Sequence, residues 1–215
     1  VCGDLPAPPD DYTFAAPPAD SPPIHIDPKT IPIPPSTPAQ RTVLGQIYPR
    51  TAWTSAPLAL AHGIPFKRRN LIVIHHSGDR KPFRPTSRTD IIRHLEIVRR
   101  AHLQRGMIDI AYHFAVDTFG GAWQLHSLLY EGQHCRPSTA GPHAGMHWNE
   151  TSIGICALGD FNLQPLPAAQ RDRLLALVRL LRGKYALAPA AVRLHGELVQ
   201  TDCPGRQLRA AVIRA

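Results

Sequence analysis

The sequence predicts a mixed α/β domain, a central and mostly parallel β-sheet flanked by helices, behind a proline-rich N-terminal extension. Three observations carry that expectation. Residues 70–76, NLIVIHH, are a short apolar run closed by two histidines, the composition of a strand covered on both faces. Residues 89–106 and 168–185 place apolar side chains at helical spacing among polar ones. The segments follow one another as strand, helix, hairpin, strand, helix, which implies a mixed sheet with helices packed against it.

Twelve of the 23 prolines fall within residues 1–40, in stretches such as PAPPDD and IPIPPSTP. Such a segment builds neither helix nor sheet ladders, so residues 1–44 read as an extended tether and 45–215 as the folded domain. In the first helix Thr89 is the expected N-cap, Ile91, Leu95 and Val98 share one face, and Gly106 ends it. AYHFAVD (111–117) and AWQLH (122–126) flank TFGG and predict a hairpin. TSIGICALGDF (151–161) predicts a second buried strand. The helix over 168–185 turns Leu174, Val178 and Leu181 inward and carries five Arg/Lys on the rest of its surface.

Net charge is +8, from 24 Lys+Arg against 16 Asp+Glu, and it is uneven: residues 165–215 hold nine Arg/Lys and three Asp/Glu. A basic body favours polyanionic or carboxylate-bearing partners. Nucleic acid is disfavoured among these, because the arginines of 171–184 lie at helical spacing with no interleaved aromatics and no recognition motif. No run reaches membrane-spanning length. Cys2, Cys135, Cys156 and Cys203 form no CxxC pair, so neither a zinc ribbon nor a thioredoxin-like site is indicated. VCGDLP has neither the basic nor the apolar part of a leader, so any signal peptide is expected to have been removed already. Cys2, before a proline-rich acidic stretch, is either a lipoprotein anchor or an ordinary disulfide-bonded or stray cysteine.

The chemistry concentrates in a few of the twelve histidines. His75 and His76 end the first core strand, His195 follows the short apolar run AVRL, and Cys203 lies in the loop beyond it. Ligand sites in open α/β sheets form at strand ends, so His75 and His195 could converge there. Two imidazoles and a thiolate suit zinc with an open fourth position. Against this stand the ordinary alternatives of a hydrogen-bonded core histidine and a disulfide half at Cys203.

Four blocks then come in order: VIHHS (73–77), HLQRGMIDIAYHF (102–114), GPHAGMHWNETSIGICALGDF (141–161) and HGELVQTDCPG (195–205). Together they resemble the zinc-dependent N-acetylmuramoyl-L-alanine amidases of the peptidoglycan recognition protein type, which include the amidase lysozymes of some phages. The resemblance runs from IYPRTAW (47–53) to CPGRQL (203–208) and implies the fold of that family. It implies His75, His195 and Cys203 as zinc ligands, with His76 on the opposite face of the strand in a packing or supporting role. Tyr112 and Thr201 match the catalytic positions, where their hydroxyls would stabilise an oxyanion. His143 and Asn149 match the substrate cleft, although one more residue separates them than in the phage pattern. Glu197 matches an acidic position and is expected to orient a ligand histidine. Cys156 stands where some members carry a catalytic Glu, which leaves the general base unassigned.

The function implied is hydrolysis of the amide between N-acetylmuramic acid and L-alanine by a monomer in the bacterial envelope or secreted. The alternative is a protein that binds peptidoglycan without cutting it. Non-cutting relatives typically replace the cysteine ligand, and Cys203 is intact.

Overall fold

The computed structural model describes residues 47–58, 63–66, 68–135, 137 and 145–213; the expectations for the 1–44 extension, Cys2 and His143 fall outside them. The strands are β1 (Ile47–Tyr48), β2 (Leu71–His76), β3 (Phe114–Val116), β4 (Ala122–Gln124), β5 (Ser152–Ala157) and β6 (Val192–Leu194). They form a single sheet in the order β1-β4-β3-β5-β2-β6. Every neighbouring pair is parallel except the β3/β4 hairpin, as expected of a mostly parallel mixed sheet. The helices are α1 (Arg88–Gln104), α2 (Ala168–Tyr185), the single turn α3 (His195–Leu198) and α4 (Arg206–Ile213). No helix among the described residues is long and apolar enough to cross a membrane.

Burial explains the strand patterns. β2 lies between β5 and β6, and all of it except Leu71 is buried, so it has no solvent face to alternate with. Ile72, Ile74, Ile153 and Ile155 join Leu174, Leu177 and Leu181 of α2 in one core. On the opposite side Ile91, Leu95 and Val98 of α1 pack with Trp123, Cys156 and Leu158. Each fully buried aliphatic side chain contributes about 1.5–3 kcal/mol, so these two layers hold the sheet that positions the site.

α1 starts two residues earlier than a Thr89 cap would place it, and its cap is Ser87 rather than Thr89. Ser87 Oγ accepts from the Asp90 amide at 3.2 Å while Asp90 Oδ2 accepts from the Ser87 amide at 3.0 Å. Asp90 stands three residues after Ser87, the spacing a reciprocal cap needs, whereas Thr89 already lies inside the helix. Gly106, at φ +76°, ends the helical turn as expected. The hairpin strands are shorter than predicted mainly at the ends away from the turn, where the Leu125 and His126 amides both donate to the His113 carbonyl and the regular ladder stops. The turn itself is closed by Asp117. Its Oδ1 accepts from the Phe119 and Gly121 amides, and its Oδ2 accepts from Trp123 Nε1 at 2.7 Å. Tyr112 precedes β3 rather than lying in it.

Candidate metal centre

β2, the single turn of α3 and the loop after it bring three buried side chains together: His75, His195 and Cys203. Their candidate ligand atoms lie within 4.8 Å of one another. His75 Nδ1 is 3.7 Å from Cys203 Sγ, and the two imidazole rings lie 4.4 Å apart between centroids. Two ligands held about 2.0–2.3 Å from one tetrahedral ion stand roughly 3.3–3.8 Å apart, so these donors suit zinc. His195 adds a second indication. Both of its ring nitrogens are buried and neither has a hydrogen-bond partner among the described residues, an arrangement that leaves a lone pair for a metal. Cys203 forms no disulfide with any described residue, and its sulfur accepts from the His76 amide at 3.4 Å.

The neighbours fix these positions. Glu197 acts through the backbone: its Oε2 accepts from the Leu194 amide at 2.9 Å and from Arg193 Nε at 3.1 Å. It thereby sets the turn on which His195 begins α3, and these bonds do not reach the imidazole. Thr201 Oγ1 accepts from the Cys203 amide at 3.2 Å, so its hydroxyl is held beside the cysteine. Tyr112 is buried with its ring 5.1 Å from that of His75 and 5.4 Å from that of His102. Its loop is pinned at both ends of a short stretch. Asp109 accepts from Arg50 and Arg99, each at 2.8 Å, and the Ala111 amide donates to His102 Nδ1 at 3.0 Å.

His76 points the other way, as strand periodicity requires. Its Nδ1 accepts from the Phe161 amide at 3.3 Å and lies 4.0 Å from Asp160 Oδ1, which ties the segment after β5 to β2. Asn149 Oδ1 accepts from the Cys135 amide at 2.9 Å, a bond that shapes the segment after Tyr130. Cys156 is buried in the α1 core, paired in register with His75 on the neighbouring strand.

One participant has no counterpart in the sequence reasoning. His134 is buried, its Nδ1 is 3.0 Å from His75 Nε2, and its Nε2 is 3.1 Å from the Ser152 carbonyl oxygen. Burial pushes its pKa down to about 3, with the nearby His195 adding to the effect against the raising influence of the Ser152 carbonyl. His113 is likewise pushed well below the ordinary imidazole value by burial, with His134 and His126 contributing. His134, which meets His75, and His113, whose ring is 5.7 Å from that of His134, are therefore neutral imidazoles near pH 7.

Comparison with known proteins identifies the family. The sequence model of the family described as N-acetylmuramoyl-L-alanine amidase matches residues 65–206. A peptidoglycan-recognition protein of Drosophila simulans is 30% identical over 167 residues, covering 77% of this chain and 84% of that protein. The endolysin of Escherichia phage T7 is 28% identical over 120 residues, covering 52% and 70%. Among solved structures, peptidoglycan recognition protein-LE in complex with tracheal cytotoxin superposes with a TM-score of 0.66 at 21% identity, covering 80% of this chain and 94% of that one. The fold, the ordered sequence blocks and a family match spanning most of the folded region agree: the chain belongs to the N-acetylmuramoyl-L-alanine amidase family that the peptidoglycan recognition proteins and phage endolysins share.

Proposed function

We propose that this chain is a zinc-dependent amidase that hydrolyses the bond between the lactyl group of N-acetylmuramic acid and L-alanine of the stem peptide. The observation that carries the proposal is the buried His75, His195 and Cys203 cluster, with both His195 nitrogens unpartnered among the described residues. Zinc held there would polarise the scissile carbonyl and make a water acidic enough to attack near neutral pH. The chain supplies the remainder. His75 and His195 would hold the ion through ring lone pairs, and Cys203 through its sulfur as a thiolate. Thr201 and Tyr112 donate hydroxyl protons to the oxyanion that develops as the carbonyl is attacked.

The tracheal cytotoxin bound to the related recognition protein is described as monomeric diaminopimelic acid-type peptidoglycan, which supports a muropeptide as the ligand class. A non-cutting peptidoglycan binder is the second reading, and retention of Cys203 favours the enzyme over it. The catalytic unit is residues 45–215, acting as a monomer in the cell envelope or outside the cell, with residues 1–44 as its tether and Cys2 as a candidate point of lipid attachment. Purified protein incubated with muropeptides should release free stem peptide, read by mass spectrometry, and should carry about one zinc per chain. Zinc-free protein that still cleaves, or zinc-loaded protein that only binds, would overturn the proposal. If Cys2 is lipidated, Cys2→Ser moves the protein from the membrane to the soluble fraction.

A further inference from the structure

His134 has both ring nitrogens engaged, and the chemistry of one partner decides the other. The Ser152 carbonyl oxygen has only lone pairs to offer, so His134 Nε2, 3.1 Å away, carries the proton and donates it. In the neutral ring Nδ1 is then an acceptor. The group it meets at 3.0 Å is His75 Nε2, which therefore donates. A His75 ring protonated on Nε2 keeps its lone pair on Nδ1, the nitrogen 3.7 Å from Cys203 Sγ. We infer that His134 is a positioning residue, which fixes the tautomer and ring orientation of His75 so that Nδ1 faces the metal. This rests on the zinc reading above and adds a residue to it. The opposite proton arrangement would need a doubly protonated His134, a buried cation whose two hydrogen bonds both go to uncharged groups.

The backbone makes room for this ring. A Cβ added at Gly154, in the middle of β5, would lie 2.5 Å from both Cγ and Cδ2 of His134, and one at Gly132 would lie 2.8 Å from Cδ2. Glycine weakens a strand interior because it has no side chain to pack. At Gly154 the space it leaves is filled by the His134 imidazole, which reaches past the strand to a neighbouring one. The link spans 59 positions in sequence and binds the segment after Tyr130 to the metal-facing end of β2.

The test uses the full chain, with zinc alone as the probe. Long-range 1H–15N spectra of labelled wild type, zinc-free and zinc-loaded, should show His75 and His134 both protonated on Nε2. In these spectra zinc should shift Nδ1 of His75 and leave the His134 tautomer unchanged. A proton on Nδ1 of either ring in the zinc-free protein would overturn the inference. His134→Phe should bind zinc about 10–100-fold more weakly in competition with a chromophoric chelator. His134→Asn, whose amide oxygen falls near the lost Nδ1, should recover most of that affinity. Equal zinc affinity in wild type, His134→Phe and His134→Asn would also overturn it. Should either variant fail to fold by circular dichroism, the wild-type tautomers decide alone. A wild type that takes up no zinc at all would instead remove the amidase reading, an outcome distinct from a zinc-binding wild type with the other tautomer.

Discussion

The face of the sheet beneath α2 is filled by Ile72, Ile74, Ile153 and Ile155 against Leu174, Leu177 and Leu181, whereas the opposite face of the same strands carries Val73, His75, Gly154 and Cys156. Apart from His76 at the end of β2, the first face is apolar and stabilises the fold in a way many aliphatic sequences could. The second interrupts its apolar packing with imidazoles, a thiol and a strand glycine, each costing stability unless its polar atoms are matched. The boundary between the two runs along a single strand, where His75 and His76 are neighbours in sequence and serve opposite sides. Substitutions on one side should therefore change melting temperature, and substitutions on the other should change metal and chemistry.

The largest expected effect separates the two sides fully. Cys203→Ser replaces a thiolate with a hydroxyl that remains protonated near neutral pH, so zinc affinity falls steeply and hydrolysis disappears with it. Binding of the stem peptide, followed by calorimetry, should survive and imitate a non-cutting relative. Full activity in Cys203→Ser would place the chemistry elsewhere. Thr201→Val comes next. It keeps the metal and the shape but removes the hydroxyl beside Cys203, and a loss of about 10²–10³ in kcat with little change in KM is expected. Zinc loss as complete as in Cys203→Ser would show that Thr201 serves the metal site rather than the reaction.

Leu177→Ala probes the apolar face. The side chain is fully buried against Ile and Phe residues, and its truncation should cost about 2–5 kcal/mol of stability. Zinc stoichiometry and kcat below the melting transition should stay at wild-type values. A fall in zinc affinity matching the fall in melting temperature would show that the two faces are one cooperative unit in function as well as in folding.

The contrast also explains what could be read before the fold was seen. α2 begins and ends at the residues expected, and β2 differs from its predicted run by one, because long periodic or wholly apolar segments carry their own signal. The His75, His195 and Cys203 set was suggested by strand ends and donor chemistry but singled out by the ordered blocks, since the residues that meet are 128 positions apart in the case of His75 and Cys203. His134 left no comparable trace. Its partners are His75, 59 residues before it, and Ser152, 18 after it, and no periodicity connects them. The histidine-rich composition was the one hint, and it did not single out this ring. Glu197 was expected to reach an imidazole and instead holds the Leu194 amide, a local capping contact that spacing alone does not separate from a contact to the ring.

The smallest expected effect lies away from both faces, at the start of α1. Ser87 and Asp90 each accept from the other's amide, and Asp90 also accepts from Thr86. These bonds, the Thr86 amide first and the Ser87 hydroxyl next, hold the Asp90 carboxyl down to about 2. A carboxyl lowered in the folded state stabilises the protein above its unfolded value, and that contribution is lost as the pH falls through the folded value. Here the window runs from about pH 4 down to about pH 2. Ser87→Ala removes the acceptor for the Asp90 amide and one donor to the carboxylate, and caps of this kind are worth about 0.5–2 kcal/mol. Its melting temperature should drop slightly at pH 7, and the Asp90 carboxyl, followed by NMR titration, should rise without reaching its ordinary value, because the Thr86 bonds remain. Thr89→Ala, already inside the helix, should do neither. If Thr89→Ala destabilised the protein more than Ser87→Ala, the cap would lie where the sequence first suggested. A change in zinc affinity in Ser87→Ala would show that α1 transmits strain to Tyr112 and the metal-facing end of β2.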